Sequence, residues 1–296
     1  MNRGIALGVG AYVIWGLLPI FWKQIDTVDS IEILAHRIVW SVLFLAGIIT
    51  LRGSWGQITA LSLRVTGRLL FAGLLLALNW ATYIWAVNNG HIVESSLGYF
   101  INPLLNVVLG VVILQERLEL GQWLAVAVAA AGVIYMTVSI GSLPWIALVL
   151  ASSFAFYALL KKQMKDVGPI ESLSVEVALV LLPAMGFLAA LGIDGEGAFL
   201  TSGGRVSSLL VLTGVATALP LLLFGAAARR IRLSTIGLLQ YIAPTLQFLI
   251  GVFLYDEVVG RDRLIGFVLV WIALAMYTGQ SLLRQRRRTE AQPLAV

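Results

Sequence analysis

The organisation of this chain follows from a segment that occurs twice, as LGYFINP at residues 97–103 and as LLQYIAP at residues 238–244. Earlier in the chain, the pair KQ at residues 23–24 recurs at residues 162–163. The distance in sequence between the two copies is almost the same for both matches. It differs by only two residues, which a short insertion explains. The sequence therefore predicts a tandem duplication of about 140 residues.

The composition places both copies in a membrane. Of the 296 residues, 59% are apolar and only 12% are charged, whereas soluble domains carry about 25% charged residues. So few charges could not cover a soluble globule without leaving large apolar patches. The composition therefore argues strongly against a soluble enzyme.

Several kinds of chemistry are missing from the sequence. The chain contains no cysteine and only two histidines, which argues against disulfides, thiol nucleophiles and most histidine-based metal sites. A phosphate-binding loop of the GxxxxGK[ST] type is also missing, so the chain carries no ATP motor. We expect no cofactor and no catalytic residues.

Helices that cross a membrane need about 20 mostly apolar residues. Ten stretches meet this requirement, and they lie near residues 4–22, 31–51, 68–87, 93–114, 120–139, 144–160, 171–192, 206–228, 233–255 and 264–283. The predicted fold class is an all-α integral membrane protein of ten transmembrane helices.

The duplication divides these helices into two repeats of five, at residues 1–140 and 141–283, followed by a basic cytoplasmic tail at 284–296. Because five is odd, the second repeat enters the membrane with the opposite polarity. Two inverted repeats related by a pseudo-twofold axis are typical of secondary transporters. The alternative is a duplication kept only for the stability of the bundle.

The basic residues agree with this topology. Fifteen of the 20 basic residues fall on the side of the two termini: Arg3, Arg52, Arg64, Arg68, Arg117, Lys161, Lys162, Lys165, Arg229, Arg230, Arg232, Arg284, Arg286, Arg287 and Arg288. The positive-inside rule then predicts a multi-pass protein of the cytoplasmic (inner) membrane with both termini in the cytoplasm. We therefore attribute the net charge of +5 to the topology of the chain in the membrane. The expected partner is the lipid bilayer, and no nucleic acid is expected to bind.

Three segments resemble the EamA family of the drug/metabolite transporter superfamily. They are WGLLP at residues 15–19 followed by Lys23, EILAHR at residues 32–37, and the block with Pro103, Gly110 and Glu116 that recurs in the second copy. The first two segments are similar to the RarD branch of that family. The resemblance implies a ten-helix inner-membrane permease with two EamA repeats, and it leaves the natural substrate open.

Amides near the middle of the bilayer form the predicted substrate site. Tyr99 and Asn106 share a face of the fourth span with Pro103, and Gln240 and Gln247 occupy the corresponding face around Pro244. An unpaired amide in lipid would cost several kcal/mol, so these faces should point inward. Asn79 and Asn102 lie at similar depth. The alternative is that these amides only join helices by hydrogen bonds.

Aromatic residues within the spans complete the predicted site, because they stack on planar or cationic solutes. They are Trp15, Trp80, Tyr83, Tyr157 and Tyr241. Trp22, Trp55, Trp145 and Trp271 are better explained as interfacial or packing residues. For each aromatic residue, simple packing is the alternative.

Four ionisable residues are predicted to act in gating or coupling, because charges at membrane depth are costly and usually face a cavity or a partner. Glu32 and His36 share one face of the second span, beside Arg37, and the repeat aligns Arg37 with Glu176. We expect Arg37 and Glu176 at opposite mouths of one path. The alternatives are an interfacial pair of Glu32 with Arg37 and a packing role for His36.

Together these features predict a secondary transporter that moves a small organic metabolite or drug-like solute by alternating access. The alternatives are an integral-membrane enzyme acting on lipid-borne molecules and a channel. Small-residue faces at Ala125/Ala129 and Ala127/Ala131 predict close helix packing within the chain or in a homodimer.

Overall fold

A computed structural model describes residues 3–89, 91–140, 144–164, 166–256 and 260–290, and within these ranges the chain is helical with no strand. Thirteen α-helices follow one another: α1 (Arg3–Trp22), α2 (Ser30–Arg52), α3 (Trp55–Thr59), α4 (Leu63–Asn88), α5 (Ile92–Val112), α6 (Leu120–Ile140), α7 (Trp145–Gln163), α8 (Pro169–Ala178), α9 (Leu181–Asp194), α10 (Gly204–Ala228), α11 (Leu233–Gln240), α12 (Ile242–Leu254) and α13 (Arg261–Glu290). The predicted all-α class is confirmed.

Most of these helices are apolar and long enough to cross a membrane. Seven described spans qualify by length and composition, and the pair α8 and α9, bent by 52°, makes an eighth. The apolar parts of α5 and α13, Leu97–Val112 and Leu264–Tyr277, are shorter. Many large apolar side chains on the outside are exposed, among them Leu43, Leu182 and Phe253. The protein is therefore an integral membrane protein whose outer surface suits lipid.

Helices from the two halves of the chain pack against each other throughout the bundle. Helix α1 packs on α10 and α12, α7 packs on α4 and α5, and α2 and α4 pack on α10 and α8, respectively. Helix α5 contacts α11, and helix α6 contacts α13. The core is consequently built by both halves.

The segment that contains Pro103 and Glu116 joins α5 to α11. A Cβ atom on Gly237 would lie 2.5 Å from the carbonyl oxygen of Pro103, so only glycine permits this close approach. The carboxylate of Glu116 accepts hydrogen bonds from the backbone N–H groups of Leu233 (2.7 Å) and Ser234 (3.0 Å). Glu116 thus satisfies unpaired donors at the start of α11, where a negative charge is favourable. The corresponding Glu257 lies outside the described residues.

One small-residue face of α6 serves packing within the chain. Ala125 and Ala129 are fully buried in a cluster with Val270 and Ala273 of α13. Ala127 and Ala131 are exposed on the outer surface of α6.

Candidate solute-binding site

A cavity of about 270 Å³ lies in the centre of the bundle. It is lined by residues from both halves of the chain: Tyr12, Trp15, Leu18, Pro19, Trp22, Arg37, Asn79, Trp80, Tyr83, Gly98, Tyr99, Asn102, Leu150, Phe154, Thr217, Leu221, Gln240, Ala243, Pro244 and Gln247. Its size approaches the lower end of the range for small-molecule sites, and apolar walls with a few polar groups are typical of such sites.

An amide network forms one wall, where α5 meets α11. The Nδ2 atom of Asn106 donates to Oδ1 of Asn102 at 3.0 Å and to Oε1 of Gln240 at 3.2 Å. Asn102 in turn donates to the carbonyl of Ala151 at 2.6 Å. Asn102 and Gln240 line the cavity, whereas Asn106 is fully buried behind them. Asn106 therefore holds two wall residues from different halves in fixed positions.

The remaining cavity amides also contact neighbouring helices. Nδ2 of Asn79 donates to the carbonyl of Leu150 at 2.8 Å and to Oγ of Ser153 at 3.0 Å. Gln247 donates to the carbonyl of Trp15 at 3.2 Å. These side chains thus join helices and line the cavity at the same time, so the two explanations considered for the amides are compatible.

Arg37 is the one charged residue among the described residues that line the cavity. Its Nε donates to Oγ1 of Thr217 at 2.9 Å. Its guanidinium carbon lies 5.0 Å from the centre of the Trp22 ring and 5.5 Å from that of Trp80. Both distances suit cation–π contacts.

An aromatic layer forms one end of the cavity. Trp15 and Phe154 line the cavity and contact each other, with ring centres 6.0 Å apart. Behind them, Tyr157 and Phe224 stack at 6.0 Å with an interplanar angle of 13°. Both are fully buried, so this layer separates the cavity from the residues beyond it.

Beyond the aromatic layer lies a buried ion pair. Nζ of Lys161 is 2.6 Å from Oε1 of Glu176, and Ser172 bonds both groups at 2.6 Å. Tyr157 donates to the other oxygen of Glu176 at 3.0 Å. Lys161 is only 4% exposed and Glu176 only 1%. A buried charge pair of this kind is tolerated because every partner is hydrogen-bonded.

Two glycines make room for this pair. A Cβ atom on Gly225 of α10 would lie 3.1 Å from Cε of Lys161. One on Gly73 of α4 would lie 2.6 Å from the carbonyl oxygen of Glu176. Gly225 thus lets α10 pack closely against the Lys161 side chain, and Gly73 lets α4 pack closely against the backbone of α8 at Glu176.

Glu32 and His36 lie outside the cavity lining. The carboxylate of Glu32 accepts from the backbone N–H of Ala198 at 2.7 Å and is 3.7 Å from Nε2 of His36. Nδ1 of His36 accepts from the indole of Trp40 at 3.2 Å. Within the described residues Glu32 forms no ion pair with Arg37, so the interfacial pair considered as an alternative is not observed.

The cavity brings together most of the predicted site residues. It is lined by Trp15, Asn79, Trp80, Tyr83, Tyr99, Asn102, Gln240 and Gln247, and also by Arg37. Asn106, Tyr157 and Tyr241 are not in the lining. Tyr241 is fully buried against Phe100 and donates to its carbonyl at 3.1 Å. Glu176 faces Lys161 instead of the cavity, so the described residues do not show Arg37 and Glu176 at opposite mouths of one path.

Two functional candidates were assigned elsewhere by sequence reasoning. Trp22 was expected to be an interfacial or packing residue, but it lines the cavity beside Arg37. Lys161 was counted among the cytoplasmic basic residues, but it lies in the last turn of α7 and is buried. Its spacing of four residues from Tyr157 puts both on one helix face, which is the pattern that could have indicated the pair.

The geometry defines a multi-pass helical membrane protein with a central cavity suited to a small solute, and comparison with known proteins agrees with this class. Residues 2–138 match the EamA-like transporter family. Protein RarD of Streptomyces exfoliatus is 45% identical over 98% of this chain and 92% of its own length. Protein RarD of Salmonella typhi is 41% identical, with 97% and 98% covered.

Further comparisons give the same result. An uncharacterized transporter of Bacillus subtilis (strain 168), YojE, is 42% identical over 94% of each chain. A solved crystal structure shares the fold with a TM-score of 0.70 at 19% identity, covering 93% of this chain and 97% of that chain. The chain belongs to the EamA-like transporter family as a RarD-like permease, and the resemblance seen in the sequence is confirmed. It is a membrane transporter.

Proposed function

We propose that the protein is a secondary transporter that moves a small organic metabolite or drug-like solute across the cytoplasmic membrane by alternating access. The observation that carries this proposal is the central cavity, whose walls come from both halves of the chain and combine amides, aromatic rings and one cation. Sites of secondary transporters typically lie near the midplane, at the interface of two repeats.

The proposal includes ten spans in two inverted repeats of five. The spans would be α1, α2, α4, α5 and α6, then α7, the pair α8–α9, α10, the pair α11–α12 and α13. The packing supports this arrangement. In the proposed repeats α1 corresponds to α7 and α4 to α10, and the contact of α1 with α10 is matched by a contact of α7 with α4. Likewise α5 corresponds to the pair α11–α12, and the contact of α1 with α12 is matched by a contact of α7 with α5. Both termini would then lie in the cytoplasm.

The aromatic layer and the Lys161–Glu176 pair would close the cavity on its cytoplasmic side. Lys161 is in the last turn of α7, which is the cytoplasmic end of that helix in the proposed topology. Trp15 and Phe154 belong to the cavity wall, and Tyr157 connects the layer to Glu176 by a hydrogen bond. Alternating access would require this layer to open while α1, α7 and α10 move relative to one another.

Glu176 is the proposed residue for proton coupling. Protonation would remove the charge that Lys161 pairs with and would weaken the closed layer. Glu176→Gln should therefore flatten the pH dependence of flux. A pH profile unchanged from wild type would contradict this role.

The carrier proposal is tested by flux in proteoliposomes. A thermal-shift screen of the purified protein against a metabolite library supplies a solute, since a ligand that binds the folded state stabilises it. A carrier should give saturable uptake and counterflow of that solute. Flux that neither saturates nor responds to temperature would instead indicate a channel.

Two variants connect the flux to the cavity. Asn106→Leu removes the donor shared by Asn102 and Gln240, and Gln247→Leu removes a polar wall group. Each should lower flux about tenfold or more, the effect of losing about 1.4 kcal/mol of interaction, while the yield of folded protein stays near normal.

Asn89→Leu is the matched control, because this exposed amide at the end of α4 bonds only the carbonyl of Trp85 among the described residues. It should keep wild-type flux. A parallel loss of folded protein and flux in Asn106→Leu and Gln247→Leu would show that these amides act only in packing.

A further inference from the structure

The charge in the cavity is unbalanced. Arg37 is the one charged residue in the described lining, and no aspartate or glutamate is part of that lining. Charges inside a membrane protein are costly and normally face a partner or a functional cavity. The described cavity wall therefore supplies no acidic side chain that could neutralise Arg37.

The described residues satisfy Arg37 only in part. Nε bonds Thr217, and the ring centres of Trp22 and Trp80 lie within 5.5 Å of the guanidinium carbon. Within the described part of the chain, the two terminal nitrogens have no hydrogen-bond acceptor, and no carboxylate lies within 4.0 Å. The side chain is partly exposed, and this exposure is toward the cavity it lines.

The neighbouring acid is engaged elsewhere. Glu32, five residues before Arg37 on α2, accepts from the backbone of Ala198 and lies beside His36. Of the two other buried carboxylates among the described residues, Glu176 pairs with Lys161, and Glu171 forms no ion pair with Arg37. None of the three is positioned to neutralise Arg37.

A second polar group in the cavity wall also lacks a partner. Tyr12 lines the cavity, is 1% exposed, and its hydroxyl has no hydrogen-bond partner among the described residues. Buried polar groups are almost always bonded. The hydroxyl can donate a hydrogen bond, as the guanidinium does, and it can also accept one.

We propose that the transported solute is a small organic monocarboxylate with a planar or aromatic body, an inference that rests on the proposed transport function. Its carboxylate accepts two hydrogen bonds from the terminal nitrogens of Arg37, the geometry in which guanidinium and carboxylate match best. Its body lies among Trp15, Trp80 and Phe154, and the volume of about 270 Å³ keeps it small. An amine or a zwitterion would bring a positive charge to a described wall without an acid.

The inference is tested by binding with probes of similar size whose polar groups carry different charges. Purified protein in detergent is melted with benzoate, benzamide and benzylamine, and with phenylacetate against phenylacetamide. The carboxylates should raise the melting temperature at concentrations where the neutral amides and the amine do not, because only ligands that bind the folded state stabilise it.

Variants of Arg37 assign the preference to one residue. Arg37→Gln should weaken carboxylate binding about tenfold or more and remove the difference from the amide. Arg37→Lys should retain part of the preference, since it keeps the charge but loses the fork. Arg205→Gln is the matched control, because Arg205 is exposed and bonds Gln24 outside the cavity, and it should bind as wild type does.

Equal stabilisation by benzoate and benzamide, a preference for benzylamine, or no stabilisation by either carboxylate would overturn the proposal. If Arg37→Gln does not fold, the comparison of carboxylates with amides on the wild-type protein and the Arg37→Lys variant still test the proposal. Saturable counterflow of a neutral solute would keep the carrier and reject the anion site. Carboxylate-selective binding without counterflow would keep the anion site and reject the carrier.

Discussion

Arg37 and Lys161 are two cations within apolar helices of the same bundle, but of the two only Lys161 has an acidic partner among the described residues. Lys161 is almost fully buried and bonds Glu176 and Ser172. Arg37 lines the cavity and meets one hydroxyl and two aromatic rings. The paired charge is neutralised by Glu176 and contributes to the packing behind the aromatic layer, whereas the cavity charge has donors without a partner among the described residues.

The largest expected effect is on the paired charge. Lys161→Met and Glu176→Gln each leave a buried partner uncompensated, which should lower the free energy of unfolding by about 3–5 kcal/mol. The double variant should recover part of this loss, because it removes both charges. Unfolding of each variant in mixed micelles gives the double-mutant cycle.

Asp262→Asn provides the reference for this measurement. Asp262 is an exposed carboxylate that accepts from the hydroxyl of Tyr135 at 2.8 Å. Its loss should cost less than about 1 kcal/mol. If Lys161→Met and Glu176→Gln lower the free energy of unfolding no more than Asp262→Asn does, the buried pair does not stabilise the structure. The proposed difference between Lys161 and Arg37 would then be wrong.

A smaller effect is expected from crowding the same pair. The methyl group of Gly225→Ala would lie 3.1 Å from Cε of Lys161, so the lysine stem must shift by a few tenths of an ångström. We expect a loss of about 1 kcal/mol in the free energy of unfolding. Gly186→Ala on α9 meets nothing within 4 Å and should be neutral or stabilising. Equal effects of the two substitutions would contradict the tight enclosure of Lys161.

The smallest effect on stability is expected at the cavity charge. Arg37→Gln loses the bond to Thr217 and two ring contacts, but it also removes an ion without an acidic partner in the described structure. The free energy of unfolding should therefore change by about 1 kcal/mol or less, measured as for Lys161→Met. A loss comparable with that of Lys161→Met would mean that Arg37 is held by a protein carboxylate.

Sequence reasoning located the cavity better than it assigned individual side chains. The face containing Tyr99, Asn102 and Asn106 was predicted from helical periodicity, and two of these three residues line the cavity. Periodicity gives the relative angles of residues on one helix. It cannot give the rotation of that helix about its axis against its neighbours, so Asn106 lies behind the wall that it was expected to form.

Lys161 and Trp22 are two residues that the sequence did not place at the cavity or in the buried ion pair, although the structure does. Both lie at the end of a helix, where composition alone favours the membrane interface. Whether such a side chain turns toward water or into the bundle depends on the space left by other helices. At Lys161 that space comes from Gly225, 64 positions further along the chain.

The sequence by itself determined the membrane class and predicted a duplicated organisation and inward-facing amides, because apolar length, periodicity and the cost of polar groups in lipid are local properties. It also identified the family. Only the tertiary structure decided which charge is paired and which faces the cavity. That difference arises from contacts between helices far apart in sequence, where Glu176 meets Lys161 while Arg37 meets Thr217 and two tryptophans.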